Sequence, residues 1–203
     1  MQDVDDLNIF WAKSVDEGES YLPLLQHAQD VTDIIEHVAH QLVAPGRLGR
    51  LQNNLGGMEL SKVLKAAAWF HDCGKISLFF QPKVCVLYGR LSKYGYRGSV
   101  TSQQMSANPH SVVGAHAVAA WLRARAINAN RRAMRRAIRG WKYVIGGHHG
   151  VFPVLEESAA FQLEPLNWQE ARERFLDYGM ELIGLDGDDI TGLATLPWDA
   201  ADQ

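Results

Sequence analysis

The chain has 203 residues, 47% hydrophobic and 21% charged, a composition typical of a globular domain with a substantial core. No apolar run is long enough to span a bilayer, and the acidic N-terminus lacks the basic and apolar regions of a signal peptide. The two cysteines, Cys73 and Cys85, form neither a disulfide framework nor a zinc motif, so we expect a cytoplasmic protein with one domain over residues 1–203.

The net charge of −3 argues against a general nucleic-acid-binding protein, but the charges are unevenly distributed. Eight basic and no acidic residues lie between Arg123 and Lys142, whereas residues 151–203 contain twelve acidic and two basic residues. This asymmetry indicates either an anionic partner for the basic segment or a solvated arginine face on a helix, and the sequence leaves both interpretations open.

Apolar residues recur with a helical period in five segments. These predicted helices cover residues 22–43, 59–73, 109–126, 130–145 and 167–185. Between the second and third, residues 89–108 are rich in Gly, Ser, Tyr and Gln, which predicts a long loop, and Pro109 is suited to beginning the helix that follows. No segment alternates convincingly as a strand would. We therefore predict an all-α fold, a helical bundle with irregular loops.

Five of the eight histidines, together with one aspartate, lie where ligands of a metal ion are expected. They are His27 on the apolar face of the first predicted helix, His71 and Asp72 at the end of the second, His110 at the start of the third, and His148 and His149 after the fourth. Imidazole and carboxylate together suit divalent transition metals, and ligands at helix ends converge when several helices meet at one pocket. Each residue alone has an ordinary structural explanation, so the prediction rests on their joint occurrence.

Other residues near these motifs have simpler interpretations. His37 and His40 are predicted to be surface or packing residues, and His116 is an alternative to His110. Asp30, one turn from His27, is expected to orient it. Without further context, Lys75 is explained as a solvated lysine at a helix terminus.

These motifs, in this order, resemble the HD nuclease domain of the helicase-nuclease that degrades target DNA in type I CRISPR systems. The matching segments are Phe-Trp-Ala-Lys-Ser at 10–14, Leu-Pro-Leu-Leu-Gln-His-Ala-Gln-Asp-Val at 22–31, Ala-Trp-Phe-His-Asp-Cys-Gly-Lys at 68–75 with Phe80-Gln81, Pro-His-Ser-Val-Val-Gly-Ala at 109–115, and Ile-Gly-Gly-His-His-Gly at 145–150. His-Asp-x-Gly-Lys is shared by the wider HD superfamily. The Phe-Gln pair and His-His-Gly are similar to the CRISPR branch in particular.

The resemblance implies two divalent transition-metal ions (Mn, Fe, Co or Ni, with Mg and Zn also open). It implies ligands at His27, His71, Asp72, His110, His148 and His149, and it places Lys75 near the scissile phosphate. As a mechanism we expect Asp72 and Lys75 to be catalytic, Asp72 as a bridge between the ions and Lys75 as a positive charge on the phosphoryl oxygens. Gly74 is expected to let the chain turn sharply after the ligands.

The family's last ligand is an aspartate in a Gly-Leu-x-x-Leu-Ala-Asp-Trp pattern. In this chain Trp198 occupies that position and Asp199 is displaced by one residue. Three alternatives follow: Asp199 is a ligand through a local shift, the site is incomplete, or the chain is a fragment that ends before the true aspartate.

The implied substrate is single-stranded DNA. Arg131, Arg135 and Arg139 with Lys75 are the predicted contacts, and Tyr88, Tyr94 and Tyr96 are either stacking or packing residues. The implied partners are a helicase domain or subunit, since the chain has no phosphate-loop motif, and a CRISPR effector complex, with no membrane association.

Three other functions stay open at this stage. An HD-superfamily enzyme can act on a nucleotide or cyclic dinucleotide. An HD domain without its last aspartate can be an inactive module that binds protein or DNA. A purely structural bundle with scattered histidines is the third, and the order of the motifs argues against it.

Overall fold

The computed structural model describes residues 4–150 and 164–198, and these residues form a helical bundle with one small hairpin. The strands are β1 (Trp11–Val15) and β2 (Ser20–Pro23); the α-helices are α1 (Leu24–Leu42), α2 (Pro45–Asn53), α3 (Leu60–Phe70), α4 (Cys85–Leu91), α5 (Ser102–Ala107), α6 (His110–Arg125), α7 (Arg131–Gly146), α8 (Leu166–Leu182) and α9 (Gly187–Leu193). Short 3-10 helices lie at Val4–Leu7, Asp16–Gly18, Cys73–Lys75, Gln81–Lys83 and Ser92–Tyr94. The predicted fold, a mostly α-helical bundle, is confirmed.

The five helices predicted from apolar periodicity correspond to α1, α3, α6, α7 and α8. The long loop predicted over residues 89–108 is wrong. Its first residues complete α4, and Ser102–Ala107 forms α5. Helix α5 begins with a capping box, in which the side chains of Thr101 and Gln104 each accept a hydrogen bond from the other residue's backbone N–H.

The hairpin of β1 and β2 was also not predicted. The strands are antiparallel, but the register shifts between the pairs Trp11–Pro23 and Lys13–Leu22. A bulge at Ala12 therefore interrupts the alternation that marks a strand in sequence. The hairpin leads directly into α1 through Pro23, which precedes the first helical residue.

Helix α6 is the centre of the bundle. It is buried along most of its length and carries small residues, among them Gly114, Ala115 and Ala119, so neighbouring elements approach its backbone closely. Helix α7 packs along it, and so does the segment Cys73–Lys75. Helix α1 packs on α3, and α8 contacts both α3 and α6.

Two fully buried tryptophans join pairs of helices, α3 to α8 and α7 to α9. The Nε1 of Trp69 donates to the carbonyl of Phe175 in α8 at 2.9 Å, and the Nε1 of Trp141 donates to the carbonyl of Leu193 in α9 at 2.8 Å. These indoles bury a large apolar surface with their polar atoms paired. Among the described helices, none is both long and apolar enough to cross a membrane.

Candidate metal centre

A single buried carboxylate, that of Asp72, lies at the centre of the predicted ligands. Asp72 is only 3% exposed. Its Oδ2 lies 3.1 Å from the Nε2 of His27 and 3.2 Å from that of His71. Its Oδ1 lies 3.2 Å from the Nε2 of His110 and 3.5 Å from that of His148. Each oxygen of the carboxylate thus faces two imidazoles.

The position of Asp72 follows from the way that α3 ends. His71 keeps helical dihedral angles, whereas Asp72 (φ −110°, ψ 6°) leaves the helix and the 3-10 turn Cys73–Lys75 follows. Gly74 in this turn lies directly against the backbone of His110 and Gly114 in α6. The glycine is not among the residues with positive φ, so it is needed for this close approach and not, as predicted, for a sharp turn.

Backbone carbonyls orient two of the imidazoles. The Nδ1 of His71 lies 2.5 Å from the carbonyl oxygen of Ala68, and the Nδ1 of His148 lies 2.6 Å from that of Ile145. Because a carbonyl only accepts hydrogen bonds, each Nδ1 carries the proton and donates. Each Nε2 therefore presents a lone pair on the side that faces Asp72, which is the arrangement of a metal-ligating histidine.

The potential ligands fall into two groups of three, His27, His71 and Asp72 in one and His110, His148 and His149 in the other. Within each group the ligand atoms lie within 4.8 Å of one another. The Nε2 atoms of His110 and His149 are 2.9 Å apart. One group offers three nitrogen donors, and the other offers two nitrogen donors and a carboxylate. Both sets suit divalent transition metals.

Two buried atoms support the fit of a metal ion. The Oδ1 of Asp72 and the Nε2 of His148 are buried without a hydrogen bond to any described residue, although they lie 3.5 Å apart. Their lone pairs are costly to bury unsatisfied, and a cation between the two groups would satisfy both. The residues present therefore fit a centre with two ions, with Asp72 adjacent to each.

The protonation states suit this role. Burial by itself raises the pKa of Asp72, but the imidazole of His110, 3.2 Å from its Oδ1, holds the pKa well below its ordinary value. Burial lowers the pKa of His110, against the opposing effect of Asp72. Burial also lowers the pKa of His149, with a contribution from neighbouring His148. An ionised carboxylate and neutral imidazoles are the forms that bind metals.

Lys75 is a buried part of this centre. It is 7% exposed, so its interpretation as a solvated lysine at a helix end is wrong. Its Nζ lies 2.7 Å from the Oδ2 of Asp72 and donates to the carbonyl of Ala12, at the bulge of β1, at 3.1 Å. The ammonium group has three N–H donors, so one is left for a further acceptor.

The Phe80-Gln81 pair of the sequence motif supports this lysine. The buried side chain of Gln81 donates through Nε2 to the carbonyls of Lys75 (2.8 Å) and Trp11 (3.0 Å). Its amide thereby joins the turn that carries Lys75 to the hairpin. The sequence marked Gln81 as part of the family pattern but gave no indication of this contact.

The model of the Cas3 HD-domain family matches residues 11–202. The chain belongs to this family. The Cas3 HD domains are a family of CRISPR-associated, metal-dependent phosphohydrolases and nucleases, which confirms the resemblance noted in the sequence. Comparison with curated proteins and with solved structures gave no match.

The position of the last aspartate of the Cas3 HD pattern is occupied by Trp198. The Trp198 indole lies against Gly140 of α7 and packs edge-on against Trp141, with ring centres 5.3 Å apart. Gly140 precedes the end of α7 at Gly146 by six residues, about 9 Å along the helix axis. Asp199, the predicted substitute ligand, lies outside the described residues.

The predicted DNA-binding arginines lie on the exposed face of α7, Arg131 and Arg135 towards its start and Arg139 near its middle. Arg131 precedes the helix end at Gly146 by about 22 Å, and Arg139 by about 10 Å. The backbone positions of these arginines therefore lie away from the two groups of potential ligands.

The tyrosines differ in their surroundings. Tyr96 is buried against Phe10, with ring centres 4.9 Å apart, and cannot stack on DNA. The hydroxyl of Tyr88 donates to the carbonyl of Gly98 at 2.7 Å. Tyr94, 57% exposed, is the one of the three that is open to solvent.

The remaining histidine predictions are settled by exposure and position. His37 and His40 are exposed, which is the first of the two predicted alternatives, surface or packing. His110, and not the alternative His116, joins the second group of ligands. The Oδ1 of Asp30 accepts a hydrogen bond from Gln26 at 2.7 Å, a contact that directs this carboxylate to Gln26 and not to His27.

A buried ion pair that the sequence did not reveal holds the chain just after the HD motif. Arg172 in α8 and Glu164 lie 2.5 Å apart (Nη2–Oε2) with both side chains almost fully buried. Arg172 also donates to the carbonyl of Ile76 at 2.5 Å, and Glu164 accepts from the N–H of Leu78 at 2.8 Å. The pair thus fixes the segment that follows Lys75.

Proposed function

We propose that this Cas3 HD domain is a two-metal nuclease that hydrolyses single-stranded DNA in type I CRISPR interference. The observation that carries the proposal is the shared carboxylate of Asp72, whose two oxygens face different pairs of imidazoles. These nitrogen donors favour Mn, Fe, Co or Ni, and Mg and Zn are further candidate ions.

When bound, two such ions supply charge neutralisation of the phosphodiester and a water whose pKa is lowered towards neutrality. The chain's own residues then have distinct tasks. His27 and His71 hold one side of the centre, and His110, His148 and His149 hold the other. Asp72 is catalytic because its carboxylate would join the two groups of ligands and fix the distance between them.

Lys75 is the second proposed catalytic residue. Its Nζ is already bound to Asp72 and to the hairpin carbonyl of Ala12, so its position is fixed before substrate arrives. Its remaining N–H would stabilise negative charge that develops on the phosphoryl oxygens. A single positive charge is enough for this role. The ammonium group of lysine supplies it without the planar set of N–H donors that an arginine has.

The exposure of the centre supports a polymeric substrate. Asp72 is buried, whereas His149 and Gly150 are exposed, so the second group of ligands opens to solvent at His149. A strand approaching there can continue along α7, where Arg139, Arg135 and Arg131 would bind its phosphates. In the cell we expect a helicase domain or subunit and a CRISPR effector complex to deliver that strand.

Cleavage of circular single-stranded DNA by protein reconstituted with Mn²⁺, Co²⁺ or Ni²⁺ tests this proposal. Asp72→Asn should reduce the rate by about 100-fold or more, since it removes the negative charge that would help to hold both ions. His37→Ala, an exposed histidine of α1, is the matched control and should cleave as the wild type does. Equal cleavage by wild type and Asp72→Asn would contradict the proposal.

The same assay separates the other candidate functions. Hydrolysis of mononucleotides or cyclic dinucleotides without cleavage of DNA would indicate a small-molecule enzyme. Failure to retain any metal after reconstitution would indicate an inactive binding module.

A further inference from the structure

The ring of Phe80 connects the metal centre to a second lysine. Phe80 is 7% exposed, and its ring centre lies 5.2 Å from that of His110. The Nζ of Lys75 lies 5.4 Å from the ring centre, and the Nζ of Lys83 lies 4.9 Å from it. One buried ring thus borders a metal ligand and two ammonium groups.

Two ammonium groups beside one ring repel each other, and the π face offsets part of that repulsion because it attracts both. Lys75 is neutralised by Asp72, at 2.7 Å. Lys83 is exposed and makes no ion pair with any carboxylate of the described residues. Its charge is therefore available to an anion that approaches from solvent.

The same aromatic cluster carries another cation. Phe80 packs with Trp11 and Tyr21, and the guanidinium of Arg90 lies 5.9 Å from the centre of the Tyr21 ring. Lys83 and Arg90 therefore lie at one aromatic cluster, on the side of Phe80 and apart from the arginines of α7.

We propose that Lys83 binds the backbone phosphate adjacent to the scissile one, and that Phe80 sets its distance from Lys75. This inference rests on the proposed nuclease function and assigns a substrate-binding residue to it. A phosphodiester chain carries one negative charge per nucleotide, so a strand held at Lys75 presents a second charge nearby. The buried ring cannot stack on a base, so its contribution is to position the two lysines.

Binding of a fluorescent oligothymidylate to the metal-free protein, measured by anisotropy at several salt concentrations, tests this inference without requiring activity. Lys83→Met keeps the length of the side chain but removes its charge. It should weaken binding about fivefold and reduce the slope of log K against log salt concentration by about 0.7, as expected for one lost phosphate contact. Lys83→Arg should bind as the wild type does.

Lys93→Met is the matched control, since Lys93 is an exposed lysine beyond the other end of α4. It should leave affinity and slope unchanged. Wild-type affinity and slope in Lys83→Met, or no binding by the wild type itself, would overturn the inference.

Hydrolysis of bis(p-nitrophenyl) phosphate, a diester with a single phosphate, separates this inference from the proposed function. Metal-loaded Lys83→Met should match the wild type on this substrate. Loss of its hydrolysis in Lys83→Met would show a structural role and overturn the inference. A metal-loaded wild type that does not hydrolyse the diester would contradict the proposed function, while the binding result would still decide the role of Lys83.

Discussion

Gly74 lies against the main chain of His110, and there is no room for a side chain between them. The contact joins the turn after α3 to the first residue of α6. It is this approach that brings Asp72, two residues before Gly74, within 3.2 Å of the His110 imidazole. The two groups of ligands are therefore assembled by a backbone contact as well as by the ligands themselves.

Replacing Gly74 by alanine should lower the free energy of unfolding by about 1–3 kcal/mol, because α6 must move to accommodate the methyl group. Displacement of His110 should also weaken metal binding. Urea denaturation measures the first effect and titration with Mn²⁺ the second. Gly89→Ala, within α4 and with nothing near its side-chain position, should instead stabilise the protein by about 0.5–1 kcal/mol. An unchanged urea midpoint in Gly74→Ala would contradict this account of the contact.

The division into two groups of ligands predicts distinct losses of metal. His27→Ala should remove one ion and His149→Ala the other, so that each variant retains about one ion per chain after reconstitution. The Asp72→Asn variant should bind both ions weakly, because the negative charge of the Asp72 carboxylate contributes to both groups of ligands. Elemental analysis gives the stoichiometry, with His37→Ala as the control that keeps both. Complete loss of metal in both histidine variants would argue for a single ion instead of two.

The metal-free protein should lose stability as the pH falls below about 6.5. In the unfolded chain His110 has an ordinary pKa near 6.5, whereas burial lowers its pKa in the native state. The unfolded state therefore binds more protons in this range, and the free energy of unfolding decreases as the pH is lowered towards the native pKa. Urea denaturation between about pH 7 and 5 measures this change.

His110→Gln should show a smaller loss of stability over that range, since it removes one of the groups, with His149, whose pKa is lowered in the native state. His37→Gln, which alters an exposed histidine, should follow the wild type. The interpretation would fail if His110→Gln and the wild type lost stability equally.

The buried pair of Glu164 and Arg172 should contribute cooperatively. Arg172→Met should cost about 3–5 kcal/mol, because it leaves the Glu164 carboxylate buried without its cation. Glu164→Gln should be costly for the converse reason. The double variant should lose less than the sum of the two, since neither charge then remains unpaired. Additive losses in this double-mutant cycle would show that the pair contributes little coupling.

The two cysteines should differ in reactivity. Cys73 is fully buried, and burial raises the pKa of its thiol to about 12, so almost no thiolate is present at neutral pH. Cys85 is exposed at the start of α4. Iodoacetamide should alkylate only Cys85 in the native protein and both cysteines in urea, as mass spectrometry can show. Modification of Cys73 at the same rate under native conditions would contradict its burial.

The features that could be predicted from sequence are those with a local signal. Helices α3 and α7 follow from apolar periodicity, and His71, Asp72, His148 and His149 stand out at their ends. The hairpin lacks such a signal because the bulge at Ala12 breaks its alternation. Helix α5 has only six residues, so its capping box contributes more than any apolar period.

Within the site, the contacts that were not predicted join distant parts of the chain. Lys75 reaches Ala12, 63 residues away, and Arg172 reaches Ile76 across 96 residues. Neither contact can be predicted from the spacing of the motifs, because both depend on how the hairpin and α8 pack. The packing of α6 against the turn at Gly74 explains why His110, which the resemblance already indicated, lies beside Asp72 and His116 does not join the ligands.

Four helix ends meet at Asp72, and they differ in polarity. Helices α3 and α7 end there, whereas α6 begins there and α1 begins one turn before His27. The carboxyl ends of helices carry partial negative charge and the amino ends partial positive charge. The backbone alone therefore presents both signs at one point, before any side chain is considered. The peptide dipoles of this fold therefore match the proposed function, in which the centre would hold cations and a phosphate together.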